Sequence, residues 1–308
     1  MKFGVALESF TLPGKKPDIS RITEMAVTAD SLAFDSIWVW DHLLLGSKNV
    51  YPVLEPLTLL AFLSAKTKRT ALGVSTLVLP LRDPVVLAKE VQTLNCISGG
   101  RLILGVAAGW YEKEFEATGK SFTKRGKATE EYLEILRMLL SQVDVNGVFG
   151  DRSFVHTTME PRVEGRFQIL MGGYKVLKRI AEKSDGWISS YYAPEDFKEA
   201  WTSILSLAKA AGRDKNALTN INIVPICVND DYDAAEKTVR DFTSKYMDLP
   251  AWGVSKVESG VKGSVKECIK QIERYRENGV ECLEFIPSFY DIEQVEIIGK
   301  EIIPHFIK

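Results

Sequence analysis

The feature that most constrains the fold is a sustained alternation of two hydrophobic periods along the 308 residues. Short runs rich in β-branched and aromatic residues take turns with longer segments whose apolar residues fall three or four apart. The strand-like runs lie at 2–9, 36–40, 70–80, 101–109, 167–173, 185–192, 220–230 and 280–288. A helical segment follows each of them. After Asp18, one face carries Ile19, Ile22, Met25, Ala26, Ala29 and Leu32. "EPLTLLAFLSAKT" has Pro56 near its start, and "DPVVLAKEVQTLNCISGG" has Asp83 as cap, Pro84 in the first turn and Gly99-Gly100 at the stop. "TEEYLEILRMLLSQ", "YKVLKRIAEKS", "EDFKEAWTSILSLAKAAG", "SVKECIKQIERYRENG" and 292–307 complete the set.

Eight strands, each followed by at least one helix, predict an α/β protein built as a single closed TIM (β/α)8 barrel, one domain over 1–308. Two insertions are expected. Residues 143–166, with Gly147, Gly150, Pro161 and Gly165, read as a hairpin-like excursion after strand four. Residues 229–279 form a long connection after strand seven, irregular over "YMDLPAWGVSKVESGVKG" and helical at its end. An open doubly wound sheet is the alternative, but it puts a phosphate loop after strand one, and "ALESFTLPG" has no GxGxxG.

Lys and Arg number 39 against 41 Asp and Glu, so no basic excess points to nucleic acid or a membrane surface. No apolar run approaches the ~18 residues of a membrane helix, and the N-terminus lacks the pattern of a signal peptide. Cys96, Cys227, Cys268 and Cys282 are far apart and form no CxxC pair; they read as buried small hydrophobes in a reducing cytoplasm.

The barrel gives meaning to "SIWVWDHLLLG" at 36–46, a core-like strand that ends in an acid and an imidazole. Barrel enzymes carry their chemistry at the C-terminal ends of the strands. Asp41 and His42 fall there after strand two, Ser75 and Thr76 near the end of strand three, Gly109 and Trp110 after strand four, and Gly172 and Gly173 after strand five. His42 reads either as a proton relay at neutral pH or as a surface histidine bound to a loop. Asp41 would orient that imidazole, face a cofactor, or make an Asx turn. Gly172-Gly173 precedes a helix, which suits a phosphate or a tight turn; Lys175 and Lys178 either add charge or stand on a solvated face. "GVAAGW", at 105–110, either lets the backbone approach a ligand or packs a barrel corner. Trp38 and Trp40 share a strand face that core packing explains, and Glu8, at the end of strand one, either reaches the mouth or stabilises the rim.

"LAFDSIWVWDH", the continuous run 55–115 and "ILMGGYKVLKRIAEKSDGWISS" resemble the bacterial luciferase-like flavin oxidoreductases, which include FMN-dependent monooxygenases and enzymes of the deazaflavin coenzyme F420. The likeness is dense over 1–190 and returns at "SVKECIKQIERYRENGVECLEFIPS". It implies a TIM barrel with the cofactor ring over its C-terminal mouth. It also implies Asp41 and His42 at the active site, a strand-three bulge at Ser75-Thr76 behind the ring, often with a non-prolyl cis peptide, and Gly172-Gly173 near the phosphate-bearing tail. The FMN-phosphate arginine of luciferase itself would fall at Ala108, a departure that favours another branch over a strict luciferase-type FMN site, and Asp41-His42, Ser75 and "GVAAGW" together resemble the F420 branch, with FMN close behind. The variable stretch "KYMDLPAWGVSKV" is expected to shape specificity.

The function expected is therefore an F420- or FMN-dependent oxidoreductase acting on a small organic molecule, as a cytoplasmic homodimer, with a separate flavin reductase if FMN is used. A flavin-binding protein without turnover is the alternative. A Schiff-base aldolase lacks its interior lysine, and His42, His156 and His305 are too scattered for a metal centre.

Overall fold

The computed structural model of the chain describes residues 1–46, 50–162, 167–246 and 260–307. Eight parallel strands close on themselves: β1 Lys2–Ala6, β2 Ser36–Val39, β3 Ala71–Val78, β4 Leu102–Ala107, β5 Ile169–Gly172, β6 Gly186–Ser190, β7 Thr219–Val228 and β8 Cys282–Pro287. Each pairs with its predecessor, and β8 pairs with β1 in register Lys2↔Cys282 to Val5↔Phe285, so no barrel edge is left open. The expected (β/α)8 barrel is the fold observed.

The helices between strands are α1 Ile19–Ser31, α2 Pro56–Ser64, α3 Pro84–Ile97, α4 Glu112–Ala117, α5 Arg125–Ser141, α6 Leu177–Lys183, α7 Pro194–Ala210, α8 Tyr232–Tyr246 and α9 Val265–Glu277, and α10 Ile292–Ile297 follows β8. Their ends follow local chemistry. The Asp18 carboxylate accepts the Arg21 amide hydrogen, and Asp83 accepts those of Val85 and Val86 just before Pro84. Gly99 and Gly100 adopt φ of 69° and 81° where α3 stops, a region that favours glycine.

Around Trp38 the packing of the barrel depends on glycine. Trp38 on β2 is wholly buried and lies between its neighbours β1 and β3. A Cβ at Gly73 would sit 2.1 Å from Trp38 Cε3, and one at Gly4 would sit 2.5 Å from Trp38 Nε1. Only residues without side chains leave room for the indole, whose N–H donates to Ser36 Oγ at 2.8 Å. Core packing, as expected, is the role of Trp38; Trp40, two residues on, is buried in the core too but also lines the cavity described below, which core packing alone did not anticipate.

Four expectations about elements need correction. Helix α5 begins at Arg125, not Thr129, because the polar run 124–128 carries no apolar stripe to read. Helix α6 begins at Leu177, so Gly172-Gly173 is followed by a bend rather than directly by a helix. Within the stretch read as irregular, Val261–Gly263 forms a short strand beside the end of β7; three residues are too few to show a period. Helix α8, left unassigned within 229–279, buries Ala235, Val239, Phe242 and Tyr246, a spacing the sequence does carry. The excursion after β4 does contain a hairpin, Val145–Phe149 against Arg152–Thr157. Cys96 is exposed, contrary to expectation, while the other three cysteines are buried. Most of "KYMDLPAWGVSKV" lies outside the described residues. No described helix is long and apolar enough to cross a membrane.

Candidate active site

The loops at the C-terminal ends of the strands enclose a cavity of about 350 Å³. Asp41, His42, Ser75, Thr76, Gly109, Trp110, Gly172 and Gly173 all line it, so the four sequence-predicted loci converge on one space. The volume lies in the ~300–1,000 Å³ range of small-molecule sites. Val78, Met171, Ile188 and Ile223 give it apolar walls, and Phe10, Trp40 and Trp110 add aromatic ones. His42 is the only one of the three histidines there. His156 is paired with Asp144 on the hairpin, and His305 with Glu273 near the C-terminus.

His42 is held by a residue that the sequence analysis did not single out. Glu114, in the first turn of α4, is fully buried. Its Oε1 accepts the amide hydrogens of Leu43 at 2.6 Å and Leu44 at 3.1 Å. Its Oε2 stands 3.0 Å from His42 Nδ1. A carboxylate already accepting two amides is an acceptor here too, which places the hydrogen on Nδ1 and leaves Nε2 as the ring's acceptor nitrogen. The Trp110 ring meets the imidazole edge-on, with centroids 5.4 Å apart and planes at 76°.

Asp41 does not orient His42. Its carboxylate is fully buried and is forked by Arg82, with Nη1–Oδ2 at 2.7 Å and Nη2–Oδ1 at 2.8 Å. Oδ2 also accepts the Val78 amide hydrogen at 2.7 Å. These contacts tie the loop after β2 to the end of β3 and occupy both oxygens. The pairing had no signal in sequence, since Arg82 lies in the turn before α3, 41 positions away.

Ser75-Thr76 forms the bulge in β3, between the paired positions Val74 and Leu77, and its peptide bond is cis. The Ser75 hydroxyl donates to Glu284 Oε1 across the barrel at 2.7 Å. Gly109 has φ of 79°, and a Cβ there would strike Val78. Glu8, expected at the rim, does not line the cavity; it accepts the Tyr246 hydroxyl hydrogen at 2.9 Å, and burial raises its pKa.

Two cations reach the cavity that the sequence analysis did not name. Arg125 opens α5, donates to the carbonyls of Gly109 and Phe122, and stacks 3.9 Å over the Phe122 ring. Arg179 enters from α6, paired with Glu130 at 2.6 Å. The Arg179 guanidinium stands close to the start of α5: a Cβ at Gly126 would lie 3.1 Å from Arg179 Nη2. Lys175 and Lys178 are exposed and do not line the cavity.

A model of the luciferase-like monooxygenase family matches residues 1–282. An uncharacterised protein of Mycobacterium tuberculosis is 32% identical over 165 residues, 53% of this chain and 57% of that protein. The F420-dependent glucose-6-phosphate dehydrogenase of Amycolatopsis mediterranei is 27% identical over 226 residues, 71% of this chain and 61% of that enzyme. The chain thus spans less than two thirds of the length of these curated relatives. Among solved structures, an F420-dependent secondary alcohol dehydrogenase superposes with a TM-score of 0.84 at 20% identity, covering 100% of this chain and 99% of that one.

Proposed function

Because the chain belongs to the luciferase-like monooxygenase family, we propose that its cavity binds coenzyme F420, with FMN as the alternative, and that the protein is an oxidoreductase acting on a small organic molecule. The observation that carries this is the meeting, around one cavity, of a histidine with its buried acid, apolar and aromatic walls, and a pair of arginines. A flat tricyclic ring with an anionic tail suits that set. Ser75 and Thr76 would back the ring, Gly109 and Trp110 would flank it, and Gly172, Gly173, Arg125 and Arg179 would take the tail. The likeness to an F420-dependent dehydrogenase supports the deazaflavin.

The bound coenzyme would supply hydride transfer, and reduced FMN would add reaction with dioxygen. The chain's own residues do the rest. Glu114 fixes the ring of His42, whose Nε2 gives or takes a proton beside the substrate. Trp110 and Trp40 restrict water. Asp41 acts only through the loop it anchors, as a positioning residue.

The FMN reading has one observation in its favour: Arg125 and Arg179 bring to the cavity the cation that is missing at Ala108. Under that reading the enzyme is a monooxygenase supplied with reduced flavin by a separate reductase. The expected homodimer is supported by Phe62, Val86 and Ile97, which leave apolar side chains exposed on α2 and α3.

Titrating the purified protein with F420 and with FMN, followed by fluorescence, tests the proposal. Saturable binding of F420 is the expected result; tight binding of FMN alone selects the monooxygenase reading, and binding of neither overturns both. Arg125→Ala is expected to raise the Kd of the bound coenzyme about 10–100-fold, the worth of one charge-assisted hydrogen bond. An unchanged Kd would remove Arg125 from the tail site.

A further inference from the structure

Glu284 on β8 is wholly buried. Its Oε1 accepts the Ser75 hydroxyl hydrogen at 2.7 Å, and its Oε2 is buried with no partner among the described residues. No described cation forms an ion pair with it. A carboxylate so placed would lose its hydration for a single donated hydrogen bond, so the group keeps its proton instead. Burial lifts its pKa to about 8, opposed only by the bond from Ser75.

The groups facing it add no compensation. Cys282 precedes it by two residues on the same strand, Tyr191 follows β6 and Tyr290 follows β8. Burial pushes all three upward, so they stay neutral around it. Glu8 and Tyr246 stand beyond Tyr290, bonded to each other. For packing alone an apolar side chain would serve this position better, because a buried acid without a cation costs stability. The acid's one bond runs to Ser75, and Ser75 lines the cavity.

We propose that Glu284 is a positioning residue for the cofactor site: from inside the barrel it holds the Ser75 hydroxyl, and so fixes the Ser75-Thr76 wall without placing a charge behind it. This rests on reading the cavity as a flavin or deazaflavin site. Both coenzymes are anions, so a negative charge behind that wall opposes them.

The sign of the pH dependence follows. While Glu284 is protonated, the wall is neutral and binding is at its best; as pH rises through about 8 the charge appears and binding weakens. Stability moves in the same direction. The unfolded chain releases this proton near 4.5 and the folded chain near 8, so the group's contribution falls as pH rises between those values.

The test uses the full chain as wild type, Glu284→Gln and Glu284→Ala. Coenzyme Kd is read by fluorescence with F420 and with FMN across this pH range, and the apoprotein's unfolding midpoint is read alongside. Wild-type Kd is expected to rise about tenfold from about pH 7 to about pH 9. Glu284→Gln keeps the acceptor and has no charge to gain; it should match wild type at neutral pH to within about twofold and show no such rise. Glu284→Ala should bind at every pH about tenfold more weakly than wild type does at neutral pH, with no rise of its own. If it fails to fold, Ser75→Ala removes the same bond from the other end and should weaken binding likewise. The apoprotein midpoint of Glu284→Gln should gain on wild type as pH rises from 4.5 to about 8. One shared Kd profile for wild type and Glu284→Gln, parallel midpoint curves, or wild-type binding by the alanine variant at neutral pH overturns the assignment while leaving the cofactor reading intact. Failure of wild type to bind either coenzyme overturns the cofactor reading, and this role of Glu284 with it.

Discussion

Replacing His42 by asparagine is expected to lower turnover about 10²–10³-fold while the coenzyme Kd stays within about twofold, the usual signature of a lost proton-transfer group. Asparagine keeps an amide near Nδ1, so the contact with Glu114 at 3.0 Å has a replacement donor. It has no nitrogen that takes up a proton at neutral pH. Single-turnover kinetics after loading the coenzyme separate the chemical step from binding. Glu114→Gln should fall in the same direction by a smaller factor, since the amide can present its N–H to Nδ1 and reverse the tautomer. Turnover unchanged in His42→Asn would dispose of the relay.

The second large effect is on the fold. Asp41→Ala is expected to cost about 3 kcal/mol of stability, because it leaves the Arg82 guanidinium without its forked partner in a site where little water reaches it. The value sits at the low end for a broken buried pair, because Glu55 Oε1 stands 3.4 Å from Arg82 Nη2 and retains part of the compensation. Thermal denaturation of the apoprotein should show this as a midpoint lower by roughly 5 °C. Asp41→Asn keeps the shape and loses the charge, and should fall between. A wild-type midpoint in Asp41→Ala would mean that the fork contributes nothing to the fold.

The barrel was legible because each strand and helix writes its own period, and because Asp83-Pro84 and Gly99-Gly100 punctuate their helix. The four loci around the cavity were legible for a different reason: strand ends on a closed parallel barrel all face one way, so placing the strands places the loops. What escaped were side chains whose meaning lies in long-range pairing. Glu114 reads as one acid among several in "YEKEF", and only folding shows that it is buried against His42, 72 positions earlier. Arg125 sat in a polar run with no stripe to announce a helix. Glu284 is an acid inside an apolar strand, "CLEFIP", an anomaly visible in sequence, but its partner Ser75 lies 209 positions away. Asp41 lies at the expected place on the cavity, and of the roles open to it the orienting of His42 falls to Glu114, because Arg82 holds both of its oxygens.

The grip of Glu114 on three groups of the segment 42–44 has a practical consequence for anyone exchanging parts between related barrels. The turn that carries the imidazole and the short helix 112–117 form one inheritable cassette, although they come from different βα units. Swapping the first alone would deliver a histidine whose tautomer and backbone are unsupported, and swapping the second alone would bury an acid facing foreign amides. Chimeras that move both together should keep the proton-transfer apparatus, which makes this pair the natural boundary for redesign.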